Sequence, residues 1–242
     1  MAAVKCNDSY FDGLKKGMPI ALGYLSVSFG FGISVVSQGL KALWAVIISM
    51  TNLTSAGQVA GVAVILSQGS IIEMVLTEFV INIRYSLMGI ALTQKLSERF
   101  TLPHRLIASI GITDEIFAVA ASEPGLIGPR FMYGLATAPY IGWSLGTLIG
   151  AVAGNFLPAG ITAALGLAIY SMFVAIIVPA ARVDSGVMFT ALISCALSCV
   201  MYFAPVLNKV SQGFSIIICA CAAAGIMAAV MPVQESGEEA EQ

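Results

Sequence analysis

Charge is what this sequence has least of. Lysine, arginine, aspartate and glutamate together make up 10% of its 242 residues, while 58% are hydrophobic. Soluble domains run near a quarter charged. A chain this depleted cannot cover a water-facing surface, so it belongs to a membrane. No basic stripe exists, which removes nucleic acid as a partner. There is one histidine, His104, beside Arg105 and without a motif for metal or catalysis. The five cysteines, Cys6, Cys195, Cys199, Cys219 and Cys221, form no CxxC. Four of them sit in apolar runs and read as small core-filling residues. HExxH, a serine elbow with a nearby histidine, and metal-ligand clusters are all missing. The chain is therefore read as a non-enzyme that needs no cofactor and no metal.

Long apolar blocks are what the sequence does have. They fall at about 18–37, 42–68, 71–93, 105–122, 131–153, 160–180, 187–204 and 213–232. A crossing needs about 20 residues, and backbone hydrogen bonds must close internally in lipid. The expected fold is all-α and polytopic. Residues 1–17 read as a polar cytoplasmic N-terminus, 18–232 as one transmembrane helical domain, and 233–242 as an acidic disordered tail. The first apolar run follows Lys15 and Lys16, has many successors, and reads as a retained span rather than a signal peptide.

The second block is unlike the others. Its stretch "SMTNLTSAGQ", 49–58, holds seven polar or glycine residues among ten. A lipid-facing helix would not tolerate that density, whereas an interrupted or re-entrant segment lining a cavity would. Lysine and arginine placement offers a check. If all eight blocks cross, five cations face each side. If the second block dips and returns, Lys5, Lys15, Lys16, Lys95, Arg99, Arg105 and Lys209 share the inside. Lys41, Arg130 and Arg182 are then outside. The seven-against-three bias favours about seven crossings plus one re-entrant element, with the N-terminus cytoplasmic. "GTLIGAVAG" places Gly146, Gly150 and Gly154 on one flat stripe suited to close helix contact, with Gly23 and Gly30 doing the same in the first helix.

Charge reappears where it is costly. Asp114 and Glu115 stand at the middle of the apolar run 106–122, and "LTEFVINIRYSLMG", 76–89, carries Glu78, Asn82 and Arg84. Each central charge costs roughly 2.5–3.5 kcal/mol on insertion scales, so four cost on the order of 10 kcal/mol. Such groups face a bundle interior and mark a pathway. A structural Arg84 salt bridge accounts for one acid and leaves two. A proton or a substrate ammonium would answer the surplus. On one continuous helix, Gly111, Asp114, Ala118 and Ala121 would form a small-residue stripe with the acid in the seam.

Four pieces together resemble the AzlC-like branched-chain amino-acid permease family: "GMPIALGYLSVSFGFG", "SAGQ", "NIRYSLMG" and "TDEIFAV". The resemblance runs from about Lys16 to Val230. It departs at two points. Tyr85 stands where the family commonly has histidine after the arginine. Gln58 follows the Ala-Gly pair at once, where the family glutamine comes three residues later, at Ala60 here. The resemblance implies export of branched-chain or similar neutral amino acids; with the surplus acids, the chain is read as a bacterial inner-membrane exporter coupled to the proton gradient. It also implies seven crossings and a small AzlD-type membrane subunit as partner. The pathway residues are then Asn52, Thr54, Ser55, Gly57, Gln58, Glu78, Asn82, Arg84, Thr113, Asp114 and Glu115. A passive channel with the acids as a cation filter is the alternative.

Overall fold

The computed structural model describes residues 6–154 and 168–231, together with 156, 158, 160, 164 and 165. The acidic tail expected at 233–242, part of the 160–180 block and Lys5 lie outside the described residues.

The chain is helical, as its composition requires. Among the described residues the order is β1 (Cys6–Asn7), α1 (Tyr10–Ser37), α2 (Ala42–Thr51), α3 (Ser55–Leu66), α4 (Ile71–Thr93), α5 (Leu102–Ile110), α6 (Asp114–Ser122), β2 (Leu126–Ile127), α7 (Pro129–Ala153), α8 (Ala168–Val183), α9 (Ser185–Phe203) and α10 (Gln212–Val230). Five of these, α1, α4, α7, α9 and α10, are long and apolar enough to cross a membrane. The contacts divide the chain into two compact units, Met1–Val62 with Glu78–Ser171, and Ala63–Thr77 with Met172–Gln242.

The first unit is built on α1 and α7, which run parallel in close contact. α1 begins at Tyr10, eight residues before the apolar run starts, because Ser9 caps it: its hydroxyl accepts the Asp12 N–H at 3.3 Å. The predicted stripe on α7 is the contact face. A Cβ at Gly146 would strike the Leu25 carbonyl, one at Gly150 the Phe29 carbonyl, and Gly154 lies against Ile33. Small residues let backbones approach where no hydrophobic force drives helices together in lipid. Gly23, expected to act likewise, faces open space.

The block 105–122 departs from the single helix expected of it. It is two helices of nine residues each, broken at 111–113. α5 closes at Gly111, and Thr113 turns extended and caps α6, its hydroxyl accepting the Ile116 N–H at 3.4 Å. The stripe Gly111, Asp114, Ala118, Ala121 therefore does not form on one helix. The two halves return to the same end. The Ser97 N–H donates to the Ile127 carbonyl at 2.9 Å, and the Ile127 N–H donates to the Lys95 carbonyl at 2.8 Å. β1 pairs in parallel with β2 at that end. Glu123-Pro124-Gly125 makes the turn, with Gly125 at φ +83, the type II chemistry of Pro followed by Gly. The hairpin's inner face, Ala108, Ile116 and Ala120, packs with Leu92, Phe131, Met132 and Leu135.

The second unit contains α8, α9, α10 and the chain around Ser67–Thr77. The buried Glu73 carboxylate accepts the Gly213 N–H at 2.9 Å and so caps the first turn of α10. An open cavity of about 1050 Å³ lies here, lined by residues including Ser67, Ser194, Ser198, Lys209 and Ser215. Of the cysteines in apolar runs only Cys219 is buried. Cys195, Cys199 and Cys221 are exposed on apolar helices, where a thiol is tolerated against lipid, so core filling holds for Cys219 alone.

Candidate functional site

Two helix breaks in the first unit hold most of the residues nominated from sequence. The first lies between α2 and α3. α2 stops at Thr51, and Asn52 takes an extended conformation at φ −134. The Gln58 N–H closes the first turn of α3 on the Thr54 carbonyl at 2.9 Å. The break expected within 51–58 is thus three residues, Asn52–Thr54, and the rest of "SAGQ" is helical. Its height is set by α7: Ser49 bonds Thr147 at 2.7 Å, and the Tyr140 hydroxyl donates to the Met50 carbonyl at 3.0 Å.

Around this break a first polar cluster forms. Glu78 Oε2 accepts from Asn82 Nδ2 at 2.8 Å and from Asn52 Nδ2 at 3.1 Å. Thr54 Oγ1 donates to Asn52 Oδ1 at 3.0 Å. Gly57 lies against this group: a Cβ there would meet Thr54 Oγ1, Glu78 Oε2 and Asn52 Nδ2. Ser55 opens α3 and is partly exposed.

The second cluster sits at the tip of the α5–α6 hairpin. Arg84 Nη2 pairs with Asp114 Oδ2 at 2.9 Å, and also donates to the Tyr85 hydroxyl at 2.9 Å. Its guanidinium lies 4.7 Å from the Tyr85 ring centre, a cation–π distance. The pair is not dry, since the two side chains are 43% and 32% exposed. Asp114 and Glu115 occupy the first turn of α6, where the helix dipole favours negative charge. Each half of the hairpin is about 13 Å long, roughly half the hydrocarbon thickness. The acids thus stand at the tip formed by two nine-residue helices rather than at the midpoint of one continuous helix.

Besides Tyr85, three residues outside the sequence-nominated set join the clusters. Tyr24 is buried, and its hydroxyl bonds Thr113 Oγ1 at 2.7 Å and Glu115 Oε2. One hydroxyl carries one proton, so with Glu115 ionised Tyr24 donates to it and Thr113 donates to Tyr24. The Tyr24 ring meets Trp143 edge to face at 5.1 Å. Trp143 Nε1 donates to Gln58 Oε1 at 3.1 Å, and Gln58 Nε2 donates to the Asn52 carbonyl. Gln58 is fully buried with both ends of its amide engaged, so it holds the break together rather than facing an open path. The third is Leu53, packed with Tyr24 and Trp143. An aromatic buried in a helix rich in apolar residues carries no sequence signal of its own. Only the juxtaposition of distant segments reveals it.

A third constellation fastens the end where the hairpin begins. Glu123 is 6% exposed and accepts from Lys16 and from Asn7 Nδ2 at 3.2 Å. Its backbone carbonyl accepts from Lys95 Nζ at 2.6 Å. Arg99 pairs with Asp8 at 2.9 Å, and Asp8 accepts the Arg130 N–H at 3.0 Å. Burial pushes the Glu123 carboxyl up. The hydrogen bonds from Lys16 and Asn7 and the charges of Lys16 and Lys95 outweigh it, holding the carboxyl below its ordinary value. Arg130, assigned outside in the seven-crossing count, therefore shares an end with Lys15, Lys16, Lys95 and Arg99. Among the described residues no group of three or more His, Cys, Asp or Glu could hold a metal ion.

Comparison with known proteins agrees with the motifs. The chain is 28% identical to "Inner membrane protein YgaZ" of Escherichia coli K12, over 91% of each chain. It is 30% identical to an uncharacterized membrane protein of Archaeoglobus fulgidus, over 69% of this chain and 74% of that one. An uncharacterized membrane protein of Helicobacter pylori 26695 is 24% identical over 61% of this chain and 65% of its own. No solved structure matches. The family model described as "AzlC protein" matches residues 19–157, which span both broken helices and both polar clusters, and the chain belongs to the AzlC family of membrane proteins.

Proposed function

We propose that this protein is the large subunit of an exporter of branched-chain or similar neutral amino acids in a bacterial cytoplasmic membrane, driven by the proton gradient. One observation carries the reading. Two helix breaks meet the continuous helix α4, so that Glu78 lies against Asn52 at one break and Arg84 against Asp114 at the other, with Glu115 tied back to the first through Tyr24, Trp143 and Gln58. Interrupted helices with charged groups at mid-depth are how transporters bind small charged solutes in lipid. A zwitterion needs both signs, and this centre supplies amide donors and ionisable acids. An AzlD-type subunit completes the assembly in this reading.

The orientation is part of the proposal. Lys15, Lys16, Lys95, Arg99, Arg105 and Arg130 gather at the end where α1 begins, and Lys41 lies beyond the far end of α1. The first end is then cytoplasmic by the positive-inside rule. Efflux tests the function. Cells lacking the chain and its partner are preloaded with labelled L-valine, L-leucine or L-methionine. Restoring both chains should speed efflux, and unlabelled substrate outside should stimulate counterflow. Flux that neither saturates nor shows counterflow would instead identify a passive pore.

A further inference from the structure

We propose that the carboxylate of Glu78 occupies the seat that receives the α-carboxylate of the transported amino acid, so that substrate and ionised Glu78 exclude one another. This rests on the transport reading above. The seat is a set of donors without charge. Asn52 Nδ2 and Asn82 Nδ2 converge on one oxygen, Glu78 Oε2, from two different elements. The Thr54 hydroxyl holds Asn52 Oδ1 at 3.0 Å, which fixes the amide's rotation and keeps Nδ2 turned inward. At Gly57 the backbone comes so close that a Cβ would occupy the space of the carboxylate oxygen. The space is therefore fitted to a carboxylate.

Two further facts make the occupant exchangeable rather than structural. Among the described residues the Glu78 carboxylate is held by the Asn52 and Asn82 amides, with Thr54 and Gly57 beside it, and no charged side chain is among its partners. Arg84 is engaged by Asp114 and Tyr85. Amide donors hold a carboxylate more weakly than a guanidinium does. Asn82 Oδ1 is buried and has no partner. That acceptor suits a donor arriving with the ligand: the substrate ammonium, or the proton Glu78 takes up on leaving the seat. A protonated Glu78 competes poorly for two N–H donors, and a substrate carboxylate replaces it. Substrate binding and protonation of Glu78 are thereby linked.

The test is equilibrium binding to the full-length chain in lipid nanodiscs with its partner subunit, from about pH 6 to about pH 9. The probes are L-leucine and L-leucinamide, which lacks the carboxylate. Wild-type affinity for leucine should fall as pH rises, by up to about tenfold per unit above the Glu78 pKa. Glu78→Gln should flatten that slope to within about twofold and bind leucine more tightly than wild type at high pH. Leucinamide should show no slope that depends on Glu78. Glu78→Asp, whose shorter side chain reaches the amides poorly, should bind leucine more tightly than wild type at high pH. Melting of each variant verifies that it is folded. A Glu78→Gln protein that keeps the wild-type slope overturns the seat. So does a folded Glu78→Gln protein that no longer binds leucine, which would assign Glu78 to the ammonium. A wild-type protein indifferent to leucine, valine and methionine overturns the transport reading and the seat with it.

Discussion

Asp114 and Glu115 are neighbours with different partners, and that difference sets what each does. Asp114 faces Arg84 at 2.9 Å, while Glu115 faces the Tyr24 hydroxyl. Asp114→Asn removes a partner from Arg84. Because the pair is partly exposed, the loss is set by a charge-assisted hydrogen bond, roughly 1.5–3 kcal/mol, rather than by a fully buried ion pair. Glu115→Gln keeps the Tyr24 contact, so it should leave the melting temperature in detergent close to wild type and lower proton-dependent amino-acid efflux. Normal efflux by Glu115→Gln across the physiological pH range would show that Glu115 carries no proton in transport. The sequence made these acids legible by their cost in lipid. The helix start was legible too: "GITDE" holds a glycine stop, a threonine cap and acids in the first turn. The apolar context outweighed that signal, because a run of 17 apolar-rich residues also fits a continuous span.

Elements show the same trade. Polar density announced the break in the second block, and the structure places it at Asn52–Thr54. No comparable density marks 111–113, where one glycine and two β-branched residues suffice. What decides the path of α5 and α6 is long-range: hydrogen bonds from Ser97 to Ile127 and from Ile127 to Lys95 bring the two bases together. Hydropathy cannot see such a pairing. If the hairpin returns to its own side, single cysteines at Glu98 and Pro124 must share a membrane face. Both positions are exposed, and so is Gln38 beyond the far end of α1. In a background without native cysteines, impermeant maleimide added to intact cells should label Gln38→Cys and spare Glu98→Cys and Pro124→Cys. Labelling of Pro124→Cys alone among the last two would mean that 105–122 crosses the membrane. Labelling of both, with Gln38→Cys spared, would invert the proposed orientation.

At the scale of the molecule, a charged centre built on two helix breaks needs rigid ends. The parallel α1–α7 pair supplies one frame through glycine contacts, and Glu123 supplies the fastening where α1, β1, the 95–99 loop and the hairpin base meet. The protonation state of that fastening matters because its carboxyl sits below the ordinary carboxylate value of 4.5 in the folded chain. A depressed acid contributes stability that is fully present above its unfolded pKa and is lost as pH falls through the folded one. The contribution is therefore intact near pH 7 and fades below about pH 4.5. Glu123→Gln should lower the melting temperature of the purified protein at about pH 7. It should also narrow the gap between melting temperatures at about pH 7 and about pH 4. A variant that melts like wild type at both pH values would mean that the base of the hairpin is held by the backbone bonds of Lys95, Ser97 and Ile127 alone, with the buried carboxylate an accessory to them.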